Sequence, residues 1–576
     1  MSQELRAMRR LQQQLQLRGV TVDRAALQSV VEYVLESGSS EQHAVDDLVK
    51  GINSLELNVQ VVSRDVVRQV LLQPFRARSR AGPASASAAP GGAGEGGGAR
   101  PDALGGVGRD GGAAGVMEGG RGEAREGWMR DWEPLVVIDA FSMPRVEYDP
   151  IRKQFSRHRG ALSLAAAPGS KADVFRRRLH LLLARTARHR RFAVPLLPLG
   201  SAEQQQYTEL TPVQALVGGT AVSQQRRHVA GVLSQLEDGR FFLEDLAAAL
   251  PLDLAHATPS IGYFTENSVV IAAGQLTPSG CFKVTSLEFP PLEPREEALS
   301  LAEGFDFFGA GPIDSDRYAW IQQREAEGVS EGVMFIVIAG IALDHPQTLS
   351  RLATVFSGYD AMDPPPRLFL LLGDFFTTPW SLASHQLHAH REAFAQLARI
   401  IASNRRLKEK SLFVFVPGQG DPGPCSVLPR PPLPRFFTDP ITDALPSALF
   451  TSNPSRLKFF CQEVVILRSD LRRHMQRCAV LPPLKDAADP FTHLATTVVH
   501  QAHLSPLPLT SQPVFWDYDF TLHLFPAPHV LILADAADQG STVVNDVTCI
   551  NPGSFSLDGT FTAYYPATRT VEHCNV

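Results

Sequence analysis

Two short apolar runs, each followed by a glycine turn, constrain the fold of this chain more than any other feature. Residues 368–372 precede a Gly-Asp turn, and residues 412–416 precede a Pro-Gly turn. Residues 381–401, between the two runs, have helical spacing with an apolar stripe. Strand, helix and strand at this separation form a βαβ unit of a parallel sheet that is covered on both faces. Ligands of such sheets bind beyond the carboxyl ends of the strands, so we expect any active site at the two glycine turns.

The length and charge of the chain restrict the class of protein to which it can belong. A chain of 576 residues is too long for one hydrophobic core, so several domains are expected. The net charge of −6 argues against a protein whose main task is to grip nucleic acid by its phosphates. No apolar run is long enough for a membrane span, and the first residues lack the apolar core of a signal peptide. The six cysteines include no CxxC pair, which predicts ordinary thiols in a reducing, intracellular compartment.

The first 130 residues divide into a helical part and a linker. Residues 1–75 contain four short amphipathic patterns with capping residues such as Asp23, and no catalytic cluster, which predicts a docking domain. The alternative is a helical extension that packs on the main body. Residues 76–130 are predicted to be a disordered linker, because 17 of the 44 glycines lie within residues 79–127, where large apolar residues are almost absent.

Residues 131–300 are predicted to form an OB-fold region that is preceded by a strand and a basic helix. The strand lies within residues 132–141, and the helix spans residues 172–191 with two arginine clusters. Two interpretations of its basic face stay open. It can contact phosphate, or it can be a solvated face that meets an acidic partner.

Short strands dominate the rest of this region. The five predicted strands are residues 229–236, 240–244, 250–254, 268–273 and 281–287. Five short strands with a helical interruption before the fourth are typical of an OB-fold barrel. Because these strands carry few aromatic residues and no basic cluster, a structural role is predicted rather than binding of single-stranded nucleic acid.

Residues 301–576 are predicted to form a further domain of strands and helices. A strand at residues 333–341 and a helix at residues 348–356 precede the βαβ unit. Later strands are predicted at residues 529–534 and 560–565, with an Asn-Pro-Gly-Ser turn between them.

The Gly-Asp, Pro-Gly and Asn-Pro-Gly-Ser turns resemble those of the calcineurin-like metallophosphodiesterase fold. An OB-fold directly ahead of such a domain is similar to the B subunits of replicative DNA polymerases, and most closely to those of DNA polymerase epsilon. The segments that carry this resemblance include LTPVQAL (210–216), GRFFLED (239–245), GYFTE (262–266), FVFVPG (413–418), HLSPLPL (503–509) and INPGSF (550–555). The resemblance implies a multidomain α+β chain with an N-terminal helical domain similar to the lid of AAA+ ATPases, an OB-fold β-barrel and a C-terminal phosphodiesterase-like α/β sandwich.

Active members of the phosphodiesterase fold hold two metals, through an Asp-x-His on the first strand, the Gly-Asp turn, a Gly-Asn-His turn and a late Gly-His-x-His. The two cations share a hydroxide that attacks phosphorus. This sequence retains the carboxylate of the second motif, Asp374. The first strand ends in Ala-Gly340-Ile, and Pro-Gly418-Gln419 stands in place of Gly-Asn-His.

The remaining candidate ligands do not complete the metal-binding motifs. Asp344 and His345 lie beyond the first strand and are expected to begin the next helix. Residues 534–539 contain Asp538 and Gln539 but no histidine, and His500 and His503 are interpreted as surface or capping residues. We therefore predict no catalytic, cofactor-binding or metal-binding residues. Three residues are remnants of a lost site, namely Asp374, Gly418 and His503, and Asp374 is predicted to be a turn residue that satisfies backbone N–H groups.

These observations predict a non-catalytic accessory subunit. The resemblance implies a place in the nuclear DNA polymerase epsilon complex, with the C-terminal zinc-binding domain of the catalytic subunit as the main partner. It also implies contact with the replicative helicase through residues 1–75, histone-fold accessory subunits in the same complex, and weak or indirect contact with DNA. The alternative is a metal-dependent phosphodiesterase or exonuclease with non-standard ligands. A protein that binds single strands through its OB-fold is the third hypothesis.

Overall fold

The computed structural model describes residues 135–158, 160–194, 207–217, 225–302, 305–309, 315–327, 332–381, 386–424, 426–484 and 487–576. The predictions for residues 1–75 and 76–130 lie outside these ranges. Within them, no helix is both long and apolar enough to cross a membrane.

The described chain contains both strands and helices, and six consecutive strands occupy residues 227–288. The strands are β1 (Leu135–Asp139), β2 (Val146–Asp149), β3 (Gln154–Arg157), β4 (Arg227–Glu237), β5 (Arg240–Glu244), β6 (Ala249–Asp253), β7 (Thr258–Pro259), β8 (Val269–Leu276), β9 (Phe282–Glu288), β10 (Phe335–Ala339), β11 (Leu368–Leu372), β12 (Leu412–Val416), β13 (Leu449–Phe450), β14 (Ser455–Phe459), β15 (Gln462–Arg468), β16 (Val530–Ala534), β17 (Gly540–Val544), β18 (Val547–Asn551), β19 (Thr560–Tyr565) and β20 (Thr570–Asn575). The α-helices are α1 (Gly169–Arg188), α2 (Val213–Val217), α3 (Arg295–Leu301), α4 (Ser315–Ala326), α5 (Thr348–Ala361), α6 (Leu387–Ser403), α7 (Arg405–Lys410), α8 (Arg435–Ala444), α9 (Leu471–Cys478), α10 (Pro490–His500) and α11 (Phe555–Asp558). Two 3-10 helices span Ala140–Ser142 and Trp516–Leu522.

The predicted βαβ unit forms the middle of a sheet with the order β13-β12-β11-β10-β19-β20. Strands β10 to β13 are parallel, and β19 joins β10 in the antiparallel sense. Alternate residues of β10, β11 and β12 face a second sheet, and the others face α5, α6 and α8. Both faces of these strands are therefore buried, which explains why the two runs are apolar throughout.

The second sheet of the sandwich has the order β1-β14-β15-β16-β18-β17. Its outer face is covered by α9 and α10. Strand β1, which was predicted to precede the OB-fold region, pairs with β14 and so belongs to this C-terminal sandwich. The reason is that β1 is apolar on both faces: Val137 packs against the core between the sheets, and Ile138 packs in the core below the second sheet.

The strands of residues 227–288 form a barrel. Their order is β6-β5-β4-β8-β9-β7, and a further pairing of β6 with β9 closes the sheet on itself. The predicted helical interruption before the fourth strand is wrong, because residues 254–268 contain turns and the two-residue strand β7. Pro259 and Gly262, whose φ is +133°, are poor residues for a helix interior. The helix that packs on this barrel core, α2, instead precedes the first strand.

Side chains of α10 and of Gln501, which directly follows it, bind the barrel to the sandwich. The N–H of Gly262 donates to His493 Nδ1 at 2.9 Å, and the N–H of Tyr263 donates to Thr497 Oγ1 at 2.7 Å. Gln501 then exchanges two hydrogen bonds with the backbone of Val269, at 2.8 and 2.7 Å. The loop between β7 and β8 is therefore fixed on the sandwich by main-chain contacts.

The basic helix α1 also joins barrel and sandwich, because its arginines have partners inside the chain. Arg178 forms a buried ion pair with Asp519 of the sandwich. Arg188 pairs with Glu293 at 2.8 Å. Arg185 is buried and donates to the carbonyl oxygens of residues 290 and 500. Neither proposed interpretation, phosphate contact or an external acidic partner, describes these three arginines.

We predict that Gly262→Ala destabilises the chain. A Cβ at Gly262 would lie 2.3 Å from Phe289 Cε2 and 3.0 Å from Thr497 Oγ1, and an alanine there would also be strained at positive φ. Overpacking of this kind costs about 1 to 3 kcal/mol. The control is Gly358→Ala, inside α5, where a Cβ meets nothing within 4 Å. Thermal unfolding should show a lowered midpoint for Gly262→Ala and an unchanged or raised midpoint for Gly358→Ala. Equal midpoints for the two variants would contradict the prediction.

Candidate functional site

The two predicted glycine turns lie side by side at the carboxyl ends of β11 and β12, and each glycine faces the aspartate of the other turn. A Cβ at Gly373 would lie 2.0 Å from Asp421 Oδ2, and a Cβ at Gly418 would lie 2.1 Å from Asp374 Oδ1. No larger residue fits at either position without displacing a carboxylate. The glycines thus allow two aspartates to approach each other at the place where an active site was expected.

A buried arginine fills the space beside these turns. Arg468, the last residue of β15, donates through Nε to the carbonyl oxygen of Gly373. Its Nη2 lies 3.1 Å from Asp374 Oδ2. Its Nη1 donates to Asp470 Oδ1 at 2.7 Å and to the carbonyl oxygen of Ala534 at 3.1 Å. One guanidinium therefore connects the ends of strands from both sheets.

The charge of Arg468 is maintained by its neighbours. Burial alone would lower its pKa, but Asp374 and Asp470 outweigh burial and raise the pKa above its ordinary value. Asp374 also accepts a hydrogen bond from the N–H of Gly420 at 3.0 Å. Asp374, which was predicted to satisfy backbone N–H groups, thus makes such a contact and also binds the guanidinium.

The second aspartate of the pair is more deeply buried. Asp421 accepts hydrogen bonds from the N–H groups of Gly418, at 2.7 Å, and Phe375. Burial raises the pKa of Asp421 to about 7, and the neighbouring Asp374 acts in the same direction, while the two N–H donors oppose it. The carbonyl oxygen of Asp421 accepts from the buried Arg430. Both aspartates are therefore committed to contacts inside the chain.

The other residues from the metal motifs also have internal partners. Gln419 donates through Nε2 to Gln512 Oε1 at 2.6 Å, and Gln539 donates to the carbonyl oxygen of Phe561. The backbone oxygen of Asp538 accepts from Asn551 at 3.0 Å. Among the described residues, the group of three His, Cys, Asp or Glu side chains that is spaced for a metal ion does not include Asp374.

Asp344 and His345 do not begin the next helix, as expected from the sequence. Helix α5 begins at Thr348, and the N–H of His345 closes a turn on Ala342 before it. Asp344 accepts a hydrogen bond from the N–H of Thr377 at 2.9 Å. The carboxylate therefore ties the loop after β10 to the loop after β11.

Of the two histidines interpreted as surface or capping residues, His503 is buried and His500 is partly buried, so the surface interpretation is wrong for His503. His500 Nδ1 lies 3.0 Å from the carbonyl oxygen of Pro290, and burial lowers its pKa to about 4. His503 is 2% exposed and lies with Asp519 and His523 in a separate cluster. The sequence analysis missed Asp519 and His523, although their spacing of four residues was a signal that both belong to one turn.

Within the described part of the chain, one group of three His, Cys, Asp or Glu side chains has a spacing that suits a metal ion. This group consists of His503, Asp519 and His523. Its hydrogen bonds argue against that use. The N–H of Ser505 donates to His503 Nδ1 at 3.0 Å, so a neutral His503 carries its proton on Nε2, which lies 3.2 Å from Asp519 Oδ1. The nitrogen that faces the cluster is a donor and has no lone pair for a metal.

Asp519 is the centre of this network. Burial alone would raise its pKa, but Arg178 and His503 outweigh burial and hold the pKa well below its ordinary value. His523 Nε2 lies 3.1 Å from the second carboxylate oxygen. Burial, followed by the charge of Arg178, lowers the pKa of His503 to about 3. A charged carboxylate thus accepts from one arginine and two neutral imidazoles.

We predict that acidification destabilises the chain partly through His503. Its folded pKa of about 3 lies below the ordinary value of 6.5, so between these values the unfolded chain binds more protons and stability falls as the pH falls. Each such group lowers the free energy of unfolding by up to about 1.4 kcal/mol for each pH unit of acidification. Thermal midpoints measured from pH 7 to pH 5 should fall, and His503→Gln should make the slope shallower. His256→Gln, at an exposed position, is the matched control; equal slopes for the two variants would disprove the role of His503.

Comparisons with known proteins identify the family. The family model that describes the B subunits of DNA polymerases alpha and epsilon matches residues 335–542, and that of the DNA polymerase epsilon subunit 2-like OB-fold domain matches residues 168–291. The second match confirms the predicted OB-fold. Among solved structures, an archaeal phosphodiesterase covers 42% of this chain and 100% of its own, at 13% identity and a TM-score of 0.24, a likeness too low to define the fold.

Two relatives match most of the chain. The Arabidopsis thaliana protein, which is named as the B subunit of DNA polymerase epsilon, is 40% identical over 441 residues, which cover 76% of this chain and 82% of the relative. The human protein named DNA polymerase epsilon subunit 2 is 35% identical over the same shares of both chains. The predicted resemblance is confirmed, and this chain belongs to the family of B subunits, the accessory second subunits, of DNA polymerase epsilon.

Proposed function

We propose that this chain is a structural subunit without phosphodiesterase activity, in which barrel and sandwich together form a platform for the catalytic subunit of DNA polymerase epsilon. Family membership supports the place in that complex. The observation that supports the loss of chemistry is the Arg468 guanidinium bound to Asp374 at the carboxyl ends of the strands.

A guanidinium cannot replace the two metals of an active phosphodiesterase. A metal ion coordinates a water molecule and lowers its pKa, which supplies the attacking hydroxide. An arginine offers only N–H donors, so it cannot coordinate water and generate hydroxide in this way. In this chain Arg468 is also 4% exposed, and it uses its donors on Gly373, Asp374, Asp470 and Ala534. The alternative, a phosphodiesterase or exonuclease with non-standard ligands, requires these contacts to be broken before a metal can bind.

The contacts between barrel and sandwich support the platform. Arg178 and Arg185 of α1 bind residues of the sandwich, and the loop before β8 is hydrogen bonded to α10. A surface composed of both parts then keeps one shape when a partner binds. We propose that the partner on this surface is the C-terminal zinc-binding domain of the catalytic subunit.

The remaining partners are proposed because the resemblance to B subunits of DNA polymerase epsilon implies them. Residues 1–75 are proposed to contact the replicative helicase, because the glycine-rich segment of residues 76–130 lets a tethered domain reach a second site and raises its effective concentration there. Histone-fold accessory subunits are proposed in the same complex, which acts in the nucleus. Contact with DNA is proposed to be weak or indirect, since the net charge of the chain is −6.

We predict that the purified chain does not hydrolyse bis(p-nitrophenyl) phosphate with Mn²⁺, Mg²⁺ or Zn²⁺, because the Arg468 guanidinium is bound to Asp374. Rates should equal those of Asp374→Ala, and the bound metal measured by mass spectrometry should be well below one ion per chain. Hydrolysis that disappears in Asp374→Ala would favour the enzyme alternative.

We predict that deletion of residues 1–75 leaves binding to the catalytic subunit intact and removes the helicase assembly. Co-purification from cells that express the full chain or the deleted chain measures both contacts in one sample. A full chain that fails to recover the catalytic subunit would overturn the proposed function. Loss of both contacts, or of neither, would overturn the division of partners between residues 1–75 and the platform.

A further inference from the structure

The outward face of the barrel on β5 and β6 carries an aromatic ring and a carboxylate two residues apart. The register sets Phe242 beside Pro251 and Glu244 beside Ala249. Leu243, between the two residues of β5, belongs to the barrel core. Because successive side chains of a strand project from opposite faces, Phe242 and Glu244 project away from that core. Both side chains are partly exposed.

The carboxylate of Glu244 keeps acceptor capacity after its contacts inside the chain. The hydroxyl of Ser234, on β4, donates a hydrogen bond to Glu244 Oε1. Among the described residues, no second donor reaches this carboxylate, so Oε2 is available to a ligand. The neighbours across from Phe242 and Glu244 on β6 are the small Pro251 and Ala249, which do not cover the ring or the carboxylate.

This part of the barrel is strongly acidic. Residues 234–253 contain five acidic side chains and one arginine, so their net charge is −4, compared with −6 for the whole chain. That arginine, Arg240, is bound to Glu237 at 2.7 Å. Lys283 of β9 lies next to Asp253 where β6 pairs with β9. Both cations therefore lie beside other carboxylates, and the outward face keeps an excess of negative charge.

The charge of this face selects the class of ligand. Strands β5 and β6 are the second and third strands of the barrel, which in OB-folds form the face that binds oligonucleotides. Faces that bind single strands combine aromatic rings with basic groups. Here carboxylates stand in place of the basic groups, so a phosphate backbone or an anionic lipid surface is repelled. A cationic ligand is favoured instead.

Arginine is the cationic side chain that suits both groups of this face. Its planar guanidinium stacks on aromatic rings and forms hydrogen bonds with carboxylates. Residues two apart in a strand lie about 7 Å from each other along the same face. A guanidinium stacked on the ring of Phe242 therefore lies within reach of Glu244 Oε2.

We infer that the outward face of β5 and β6 binds an arginine of a partner protein, with the guanidinium on the ring of Phe242 and bonded to Glu244. An apolar neighbour of that arginine then packs against Pro251. The choice of a protein, rather than a free cation, rests on family membership, since an accessory subunit presents its surfaces to other chains.

The test uses the full chain and the peptide acetyl-Leu-Arg-Leu-amide, with citrulline in place of arginine as its uncharged twin. Ligand-observed NMR titrations give both affinities. The arginine peptide should bind roughly 5-fold more tightly, the factor expected for an ion pair at a partly exposed site. Glu244→Gln, which retains an acceptor for the Ser234 hydroxyl, should remove this difference. Glu409→Gln on α7, the same change of charge at a side chain that is 55% exposed, should preserve it.

Equal affinity of the arginine and citrulline peptides overturns the inference. An equal effect of Glu244→Gln and Glu409→Gln also overturns it, because it would indicate diffuse attraction to an acidic chain. An oligothymidylate that binds more tightly than the arginine peptide, and that Phe242→Leu weakens, would overturn the protein ligand in favour of nucleic acid. If Glu244→Gln does not fold, Phe242→Leu takes its place and should weaken the arginine peptide more than the citrulline peptide. These outcomes do not depend on assembly with the catalytic subunit, which co-purification tests separately.

Discussion

The Arg468 guanidinium is the interaction on which the C-terminal sandwich depends most directly. It connects Gly373 and Asp374, at the end of a strand of the first sheet, to Ala534, at the end of a strand of the second. A buried charge of this kind is tolerated only when its partners are in place, and removal of one partner leaves an uncompensated charge. In the phosphodiesterase fold that the sequence resembles, metals occupy the ends of these strands. Here the Arg468 guanidinium contacts the carboxylates of Asp374 and Asp470 at these strand ends.

A second buried ionic network joins the barrel side of the molecule to the sandwich. Asp519 accepts from Arg178 of α1, His503 and His523. Because three donors converge on one carboxylate, the position of α1 is coupled to the loops around residues 503 and 523. Both histidines are neutral in this arrangement, because burial lowers the pKa of each.

The same network reaches the buried Arg456 through His523. The side chain of His523 is bound to Asp519, and its carbonyl oxygen accepts from Arg456 at 2.6 Å. The Arg456 guanidinium is therefore held by a segment that the buried carboxylate of Asp519 fixes.

The sequence by itself determined the elements whose pattern is local. The apolar runs of β11 and β12, their glycine turns and the strands of the barrel were predictable, because hydrophobic periodicity and turn residues act over a few positions. The absence of metal ligands, which was inferred from the sequence one motif at a time, stays a prediction. The boundary of the sandwich at β1 could not be predicted, since its partner β14 lies more than 300 residues further along the chain and nothing local distinguishes one sheet from another.

Only the tertiary structure decided what the charged residues do. The sequence places arginines on one helix but does not show that Arg178 and Arg185 are buried, and it offers no reason to join Arg468 to Asp374 or His503 to Asp519. The energy of a charge depends on its burial and on partners that are distant in the chain. For this protein, local sequence pattern therefore determined the strands and turns, whereas the long-range contacts of its arginines, aspartates and histidines were set by the folded structure.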